Sequence, residues 1–183
     1  MYAFAAKEFQ SVKIYNQGMI ATEKELLEFL DSHGFEYRYV AHAPVFTCAE
    51  AEQKRPDLPG VSTKNLFLCD KKARRFFLVT TACEKHMDLV MLAQCLGVGK
   101  LRFASEENLN RFLGVTRGAV TMLGLVNDTG HQVELWVDAQ VWGRDTFLCH
   151  PLVNTATLVL SKRTLEQFFA LTGHSVRLFE AGG

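Results

Sequence analysis

The sequence lacks long apolar runs and the features of a targeting segment. Its apolar stretches, such as residues 89–93, fall far short of the roughly 20 residues that a membrane-spanning helix needs. Its N-terminus shows no basic region followed by a long apolar stretch and a small-residue cleavage site. We therefore expect a cytoplasmic protein with no membrane partner.

Cysteine is present without a recognisable pattern. The five cysteines, at positions 48, 69, 83, 95 and 149, are odd in number, scattered, and free of C-x-x-C spacing. Such a set argues against a disulfide framework and against a structural zinc site. We expect most of these residues to be buried in the core as small, slightly polar side chains.

Charge of one sign is not in excess, because 20 lysines and arginines balance 20 aspartates and glutamates. Proteins that bind long duplexes through their phosphates usually carry surplus positive charge. We therefore expect no DNA partner. Any contact with nucleic acid should be small and local, such as a contact with the end of a strand.

Familiar catalytic motifs are also missing, including G-x-S-x-G, H-E-x-x-H, G-x-x-x-x-G-K-[ST] and G-x-G-x-x-G. Cys149 and His150 are neighbours, and adjacent side chains of an extended segment point to opposite faces, so they cannot act as nucleophile and base. The six histidines show no ligand spacing. We expect no metal site, no cofactor and no catalytic triad.

The residues that are present suffice for one globular domain. A length of 183 residues and a hydrophobic content of 48% fit a single core. Strands and helices are intermixed without strict alternation, which predicts a mixed α/β (α+β) single domain around one curved sheet. We assign this domain to residues 21–183 and treat residues 1–20 as an N-terminal extension.

Capping signals and periodicity predict the individual elements. Predicted helices begin at the capping boxes of residues 22–25 and 47–50 and cover residues 87–96, 105–113 and 162–172. Predicted strands cover residues 35–41, 65–69, 76–81, 132–137 and 155–160, with a short strand closing the chain. Residues 114–127 carry three glycines and few charges, which predicts a loop or broken strand that lines a site.

Two side chains and one turn are candidates for function. Lys64 begins a predicted strand after a Gly/Pro loop, where its amine could meet a phosphate or stabilise a developing oxyanion, or could simply be solvated. His150 precedes Pro151, which stiffens the turn, and a structural histidine is the alternative. The turn before Thr47 exposes N–H groups that could bind a carbonyl oxygen. The basic residues 71, 72, 74 and 75 form a hairpin tip, for which solvation is favoured over contact with a nucleic-acid backbone.

Four segments in order carry a resemblance to a known family. They are HAPVFT at 42–47 with Glu50 and Ala51, TKNLFL at 63–68 with the DKK tip at 70–72, residues 114–128 with GVT and GLVND at their ends, and HPLVNTAT at 150–157. Over residues 22–179 the chain resembles the YbaK/prolyl-tRNA editing domain family, most closely its free-standing alanyl-tRNA(Pro) deacylases. The resemblance implies a partly open, barrel-like mixed sheet flanked by helices. It also implies hydrolysis of the ester that joins an amino acid to the 3′-terminal adenosine of tRNA.

The resemblance implies the site residues as well. The family's conserved lysine falls on Lys64 and its pocket histidine on His150, and backbone N–H groups near Gly118 polarise the ester carbonyl. The implied substrate-binding residues are Val45, Phe46, Thr47, Asn65, Leu66, Met122 and Asn154. The terminal ribose's own hydroxyl helps to activate water, and the pocket acts as a size sieve that admits a methyl side chain and rejects the prolyl ring.

The glycine loop departs from the family pattern. Arg117 and Met122 stand where prolines are usual, which loosens the loop's φ restriction and places a bulky side chain at a pocket wall. Three alternatives therefore stay open: a cysteinyl, seryl or threonyl ester as substrate, a non-catalytic tRNA-binding or synthetase-associated module, and a metabolite-binding domain. The expected partner is the acceptor end of tRNA, and a prolyl-tRNA synthetase partner also stays open.

Overall fold

The computed structural model describes residues 18–180. Of the predicted extension at residues 1–20, residues 1–17 lie outside the described part of the chain. The strands are β1 Arg38–Ala41, β2 Val61–Asp70, β3 Phe76–Ala82, β4 Leu101–Phe103, β5 Val133–Asp138, β6 Thr146–Cys149, β7 Ala156–Ser161 and β8 Val176–Phe179. The α-helices are α1 Glu23–Ser32, α2 Cys48–Lys54, α3 Leu89–Cys95, α4 Glu106–Leu113, α5 Ala139–Trp142 and α6 Lys162–Thr172.

Seven of the strands form one mixed sheet in the order β1-β7-β6-β2-β3-β5-β8, and the eighth, β4, pairs with β2. The β2–β6, β3–β5 and β5–β8 pairs are parallel, and the remaining pairs are antiparallel. In residues 18–180 the end strands β1 and β8 do not pair with each other. The predicted mixed α/β single domain with a partly open sheet is therefore confirmed.

Strand β2 changes its neighbours along its length, and this opens the site. Strand β6 pairs with β2 only at Val61 and Ser62, whereas β4 pairs with it only from Leu68 to Asp70. Between these points β3 is the one strand partner of β2 among the described residues. The sheet therefore splits beside residues 63–67, and side chains of that stretch can face a cleft.

Two hydrophobic clusters cover the two faces of the sheet. Phe67 and Leu78 belong to the larger cluster, together with residues of α1, α4 and α6. Leu68 and Phe77 belong to the smaller cluster, which α3 covers. Successive residues of a strand point to opposite faces, so β3 and residues 67–69 of β2 are buried on both faces, whereas residues 61–66 are only partly buried.

Helix ends follow the local signals closely. The capping box at Thr22 is present, α4 runs from its Ser105 cap to Gly114 at φ +65°, and α6 runs from its Ser161 cap to Gly173 at φ +76°. At the second predicted box, the Thr47 side chain accepts from the N–H of Glu50, but the Glu50 carboxylate accepts from the N–H of Phe46. The predicted charged hairpin is confirmed as β2 and β3.

The glycine-rich stretch differs from the prediction. Much of residues 114–127 is a 3₁₀ helix, Met122–Asn127, that packs against α4. Met122 is 0% exposed and belongs to the larger hydrophobic cluster. Its side chain packs in the core, which contradicts its predicted role in substrate binding, although Gly118 and Val120 of the same stretch do line a cavity.

A disulfide bond also departs from the prediction. Cys48 and Cys83 are bonded, with 5.7 Å between their Cα atoms, and they lie 35 positions apart in sequence. The bond ties the first residue of α2 to the residue after β3. Cys69 and Cys149 are buried as expected, and Cys95 is exposed. Spacing in sequence could not reveal the bond, because only the fold brings α2 to the end of β3.

Two features are absent from residues 18–180. No helix there is long and apolar enough to cross a membrane. No group of three or more histidine, cysteine, aspartate or glutamate side chains there is arranged to hold a metal ion.

Candidate active site

A cavity of about 290 Å³ opens where the sheet splits beside β2. Its walls come from the turn into α2, from one face of α2, from the first half of β2 and from the end of β6. The lining residues are Val45, Phe46, Thr47, Cys48, Ala51, Arg55, Ser62, Thr63, Lys64, Asn65, Leu66, Cys83, Gly118, Val120, Leu148, Cys149, His150 and Thr157. The cavity therefore brings together all the predicted site residues except Met122 and Asn154.

Lys64 lies within β2 rather than at its start, opposite Thr81 of β3. Its ammonium donates to the backbone carbonyls of Cys83 and Lys85. An ammonium has three N–H donors, so one remains for a ligand in the cavity. These two bonds fix the position of a positive charge in the cavity wall.

A buried carboxylate holds the segment that anchors Lys64. Asp138 has a side chain that is 1% exposed and lies 2.7 Å from the ammonium of Lys85. The hydroxyl of Thr81 also donates to Asp138, at 3.2 Å. Since the carbonyl of Lys85 accepts from Lys64, this ion pair places the turn after β3 where it can orient the Lys64 ammonium.

His150 follows β6 and is held by one backbone contact. Its Nδ1 lies 3.0 Å from the carbonyl oxygen of Ala156. A carbonyl only accepts, so Nδ1 carries the proton and Nε2 of the neutral ring is an acceptor. Burial lowers the pKa of His150 from its usual value, and the nearby charges of His42 and Arg55 act in the same direction. The ring is therefore neutral near pH 7.

The turn into α2 is locked to the loop after β6. The N–H of Val45 donates to the carbonyl of Asn154 at 3.0 Å, and the Asn154 side-chain amide donates to the carbonyl of Val45 at 3.0 Å. Asn154 therefore positions the cavity wall without lining it, which corrects its predicted role in substrate binding. Val45 is 2% exposed, whereas Phe46 is 68% exposed at the cavity mouth.

Gly118 lies against Phe46 with φ +86°. A Cβ atom built on Gly118 would lie 3.2 Å from Cδ1 of Phe46. Only glycine adopts this backbone conformation without strain. The glycine therefore lets the backbone of residues 117–119 approach the aromatic side chain and the cavity.

The thiol on the cavity wall is not a nucleophile. Burial raises the pKa of Cys149 to about 12, so the reactive thiolate is essentially absent at neutral pH. The charged groups that line the cavity are Lys64 and Arg55, and no lining residue is an aspartate or glutamate. The cavity is thus positive in a chain of zero net charge.

The sequence prediction missed Arg55. Thr47, Ala51 and Arg55 recur at intervals of four along α2 and share the helix face that lines the cavity. Helical spacing from the predicted Thr47 would have identified both later residues. Helix α2 is short and has no buried residues. Its sequence therefore shows no apolar stripe that would have marked this face.

The basic hairpin tip lies apart from the cavity. Arg75 pairs with Glu134, with two contacts of 2.8 and 3.0 Å, and Arg177 reaches the same carboxylate at 2.6 Å. The Glu134 carboxylate of β5 thus links Arg75, which directly precedes β3, to Arg177 of β8. Lys71, Lys72 and Arg74 are exposed.

Known proteins provide comparisons for this arrangement. The family model of the aminoacyl-tRNA editing domain matches residues 42–168. The Acetoanaerobium sticklandii protein named prolyl-tRNA editing protein ProX is 36% identical over 151 residues, which make up 82% of this chain and 92% of that protein. The Danio rerio protein named prolyl-tRNA synthetase associated domain-containing protein 1 is 39% identical over 154 residues, 83% of each chain.

A solved structure confirms the likeness of fold. It is the crystal structure of a candidate trans-editing enzyme for prolyl-tRNA synthetase. It matches with a TM-score of 0.63 at 19% sequence identity, over 89% of this chain and 99% of the other.

Proposed function

The chain belongs to the aminoacyl-tRNA editing domain family and is an aminoacyl-tRNA deacylase, and on that premise we propose that its substrate is alanyl-tRNA(Pro). The proposal rests on the cavity, whose lining combines the fixed ammonium of Lys64 with apolar side chains. The name of the Acetoanaerobium sticklandii relative supports the assignment to proline tRNA. We place the reaction in the cytoplasm, where tRNA is aminoacylated.

In this proposal Lys64 stabilises the negative charge that develops on the ester carbonyl oxygen. Its ammonium is held in place by two backbone carbonyls and need not reorganise during the reaction. Preorganised donors of this kind are among the largest contributions to catalysis. Backbone N–H groups near Gly118 and at the start of α2 would add further donors.

No covalent intermediate is needed, because an aminoacyl ester is already reactive. Water attacks the carbonyl carbon, the bond to the ribose oxygen breaks, and the leaving oxygen takes a proton to restore the hydroxyl. The products are free alanine and tRNA. The neighbouring ribose hydroxyl assists the water, and His150 accepts a hydrogen bond from the terminal ribose through Nε2. Orientation of the two reactants supplies much of the rate.

Selectivity follows from the walls of the cavity. Val45, Phe46 and Leu66 are its apolar side chains near Lys64, and Asn154 holds the Val45 backbone on both sides. In this proposal these walls admit a methyl side chain next to the ester and exclude a prolyl ring, so only the smaller ester would be hydrolysed. Because Met122 is in the core, it does not alter the pocket size.

We expect the purified protein to deacylate alanyl-tRNA(Pro) and to leave prolyl-tRNA(Pro) at the spontaneous rate of hydrolysis. The measurement is release of labelled amino acid from separately charged tRNAs. Seryl-, cysteinyl- and threonyl-tRNA test the alternative substrates in the same assay. Faster loss of one of those esters would reassign the amino acid, and binding of tRNA without turnover would contradict the catalytic proposal.

The name of the Danio rerio relative points to prolyl-tRNA synthetase as a partner. We propose that any such partner supplies the mischarged tRNA rather than part of the site, because Lys64, Gly118 and His150 all lie on one cavity of this chain. A deacylation rate that is unchanged when prolyl-tRNA synthetase is added would support this view.

The rate should depend on pH through His150. Burial lowers its pKa below the usual value of about 6.5, so the neutral, accepting ring persists down to that pH. Protonation of His150 should therefore not lower kcat/KM for deacylation between pH 8 and 6.5. Below the lowered pKa of His150, kcat/KM should fall about tenfold per pH unit. The His150→Gln variant, which keeps an acceptor that does not titrate, should lose this acid limb. An unchanged pH profile in the variant would exclude the assigned role.

A further inference from the structure

Arg55 places a second cation on the cavity wall. It caps α2 just before Pro56 and lies on the helix face of Thr47 and Ala51. Neither the catalytic motifs nor the family resemblance assigns it a role. Its position therefore needs an explanation of its own.

The guanidinium group is poorly satisfied by the protein. Its Nη2 donates to the hydroxyl of Ser62 at 2.9 Å, and within residues 18–180 it forms no ion pair. Its Nε is buried and has no hydrogen-bond partner in the described structure. Burial lowers its pKa, and the charges of Glu52 and Asp57 oppose that change. Partly buried donors without acceptors are unfavourable, and an anion entering the cavity would relieve this cost.

Arg55 is also the freer of the two cations. Lys64 commits two of its three donors to backbone carbonyls, whereas the side chain of Arg55 commits one of five to Ser62. The planar guanidinium matches the geometry of a phosphate group, to which it can donate two parallel hydrogen bonds. Among the described residues, no aspartate or glutamate lines the cavity, although the charges of Glu52 and Asp57 act on Arg55 from outside the lining.

We infer that Arg55 binds the phosphodiester on the 5′ side of the terminal adenosine, and this inference rests on the proposed deacylation of aminoacyl-tRNA. Arg55 and His150 line the same cavity. The two residues are close enough for the charge of Arg55 to lower the pKa of His150, so a terminal ribose bound at His150 would bring its 5′-phosphate toward Arg55. One local phosphate contact of this kind suits a protein of zero net charge that binds only the end of a nucleic-acid chain.

The test compares two small substrates, alanyl-adenosine esters with and without a 5′-phosphate. We expect the wild-type protein to hydrolyse the phosphate-bearing ester with a kcat/KM at least about tenfold higher, as for a charge-assisted hydrogen bond. The Arg55→Met variant should lose this preference and keep its kcat/KM on the phosphate-free ester within about twofold. The matched Ser62→Ala variant should keep the preference for the phosphate-bearing ester, because it removes the hydrogen-bond partner of Arg55 and leaves the guanidinium group in place.

Each outcome decides the question. An equal loss on both esters in Arg55→Met would show that Arg55 only supports the fold, and a wild-type protein without phosphate preference would also overturn the inference. Turnover of alanyl-tRNA(Pro), measured alongside, tests the proposed function separately. If neither small ester is hydrolysed, AMP and adenosine replace them as inhibitors of tRNA deacylation. Stronger inhibition by AMP that disappears in Arg55→Met supports the inference, and equal inhibition overturns it.

Discussion

Replacement of Lys64 by alanine is expected to lower kcat/KM for deacylation of alanyl-tRNA(Pro) by at least about 100-fold, the usual cost of removing a preorganised oxyanion donor. The ammonium is fixed by the carbonyls of Cys83 and Lys85, and water in the emptied space cannot reproduce a localised positive charge. The measurement is the rate of alanine release under single-turnover conditions, which isolates the chemical step from product release.

The fold should survive this change. Lys64 is only half-buried, and loss of its two hydrogen bonds should lower the free energy of unfolding by no more than about 1–3 kcal/mol. The matched control is Lys72→Ala, which removes an exposed lysine of the hairpin tip and should leave both rate and stability unchanged. Near-normal deacylation by a folded Lys64→Ala protein would remove Lys64 from the catalytic step.

Replacement of Gly118 by alanine is expected to lower kcat/KM by about 10- to 100-fold, as small misplacements of an active-site wall do. The new Cβ would lie 3.2 Å from Cδ1 of Phe46, so either the ring or the backbone of the loop must shift. Both line the cavity. The same assay measures the effect, and the loss should be as large for the alanyl ester as for any competing ester.

Gly97→Ala is the control for backbone strain. Gly97 has φ +65°, and a Cβ atom there would contact nothing within 4 Å. Both variants should lose about 1–2 kcal/mol of stability, because a Cβ disfavours the left-handed conformation. Only Gly118→Ala should also lose deacylation activity. Equal activity in the two variants would mean that the Gly118 backbone takes no part in the site.

Local chemistry made several features predictable from the sequence. The ends of α4 and α6 follow from a serine cap before each helix and a glycine directly after it. The β2–β3 hairpin follows from two apolar runs around a charged tip. Lys64 was found by its position at a predicted strand, His150 by the proline that follows it, and both by the family resemblance; the fold brings both to the cavity.

Other features depended on contacts between distant parts of the chain. Low charge and glycines in residues 114–127 fit a buried segment as well as a lining one, and only packing against α4 shows that Met122 is in the core. The bond between Cys48 and Cys83 and the meeting of Arg55 with Ser62 require α2 to lie over β2 and the end of β3.

The sequence by itself determined the family, most of the helices and the longer strands, because capping, turn and periodicity signals act over about one to four residues. It did not determine the short elements β4, α5 and β6. Only the tertiary structure decided which side chains line the cavity. The cavity exists because β6 and β4 leave the middle of β2 free, and strand pairing between residues far apart in sequence leaves no local signal to read.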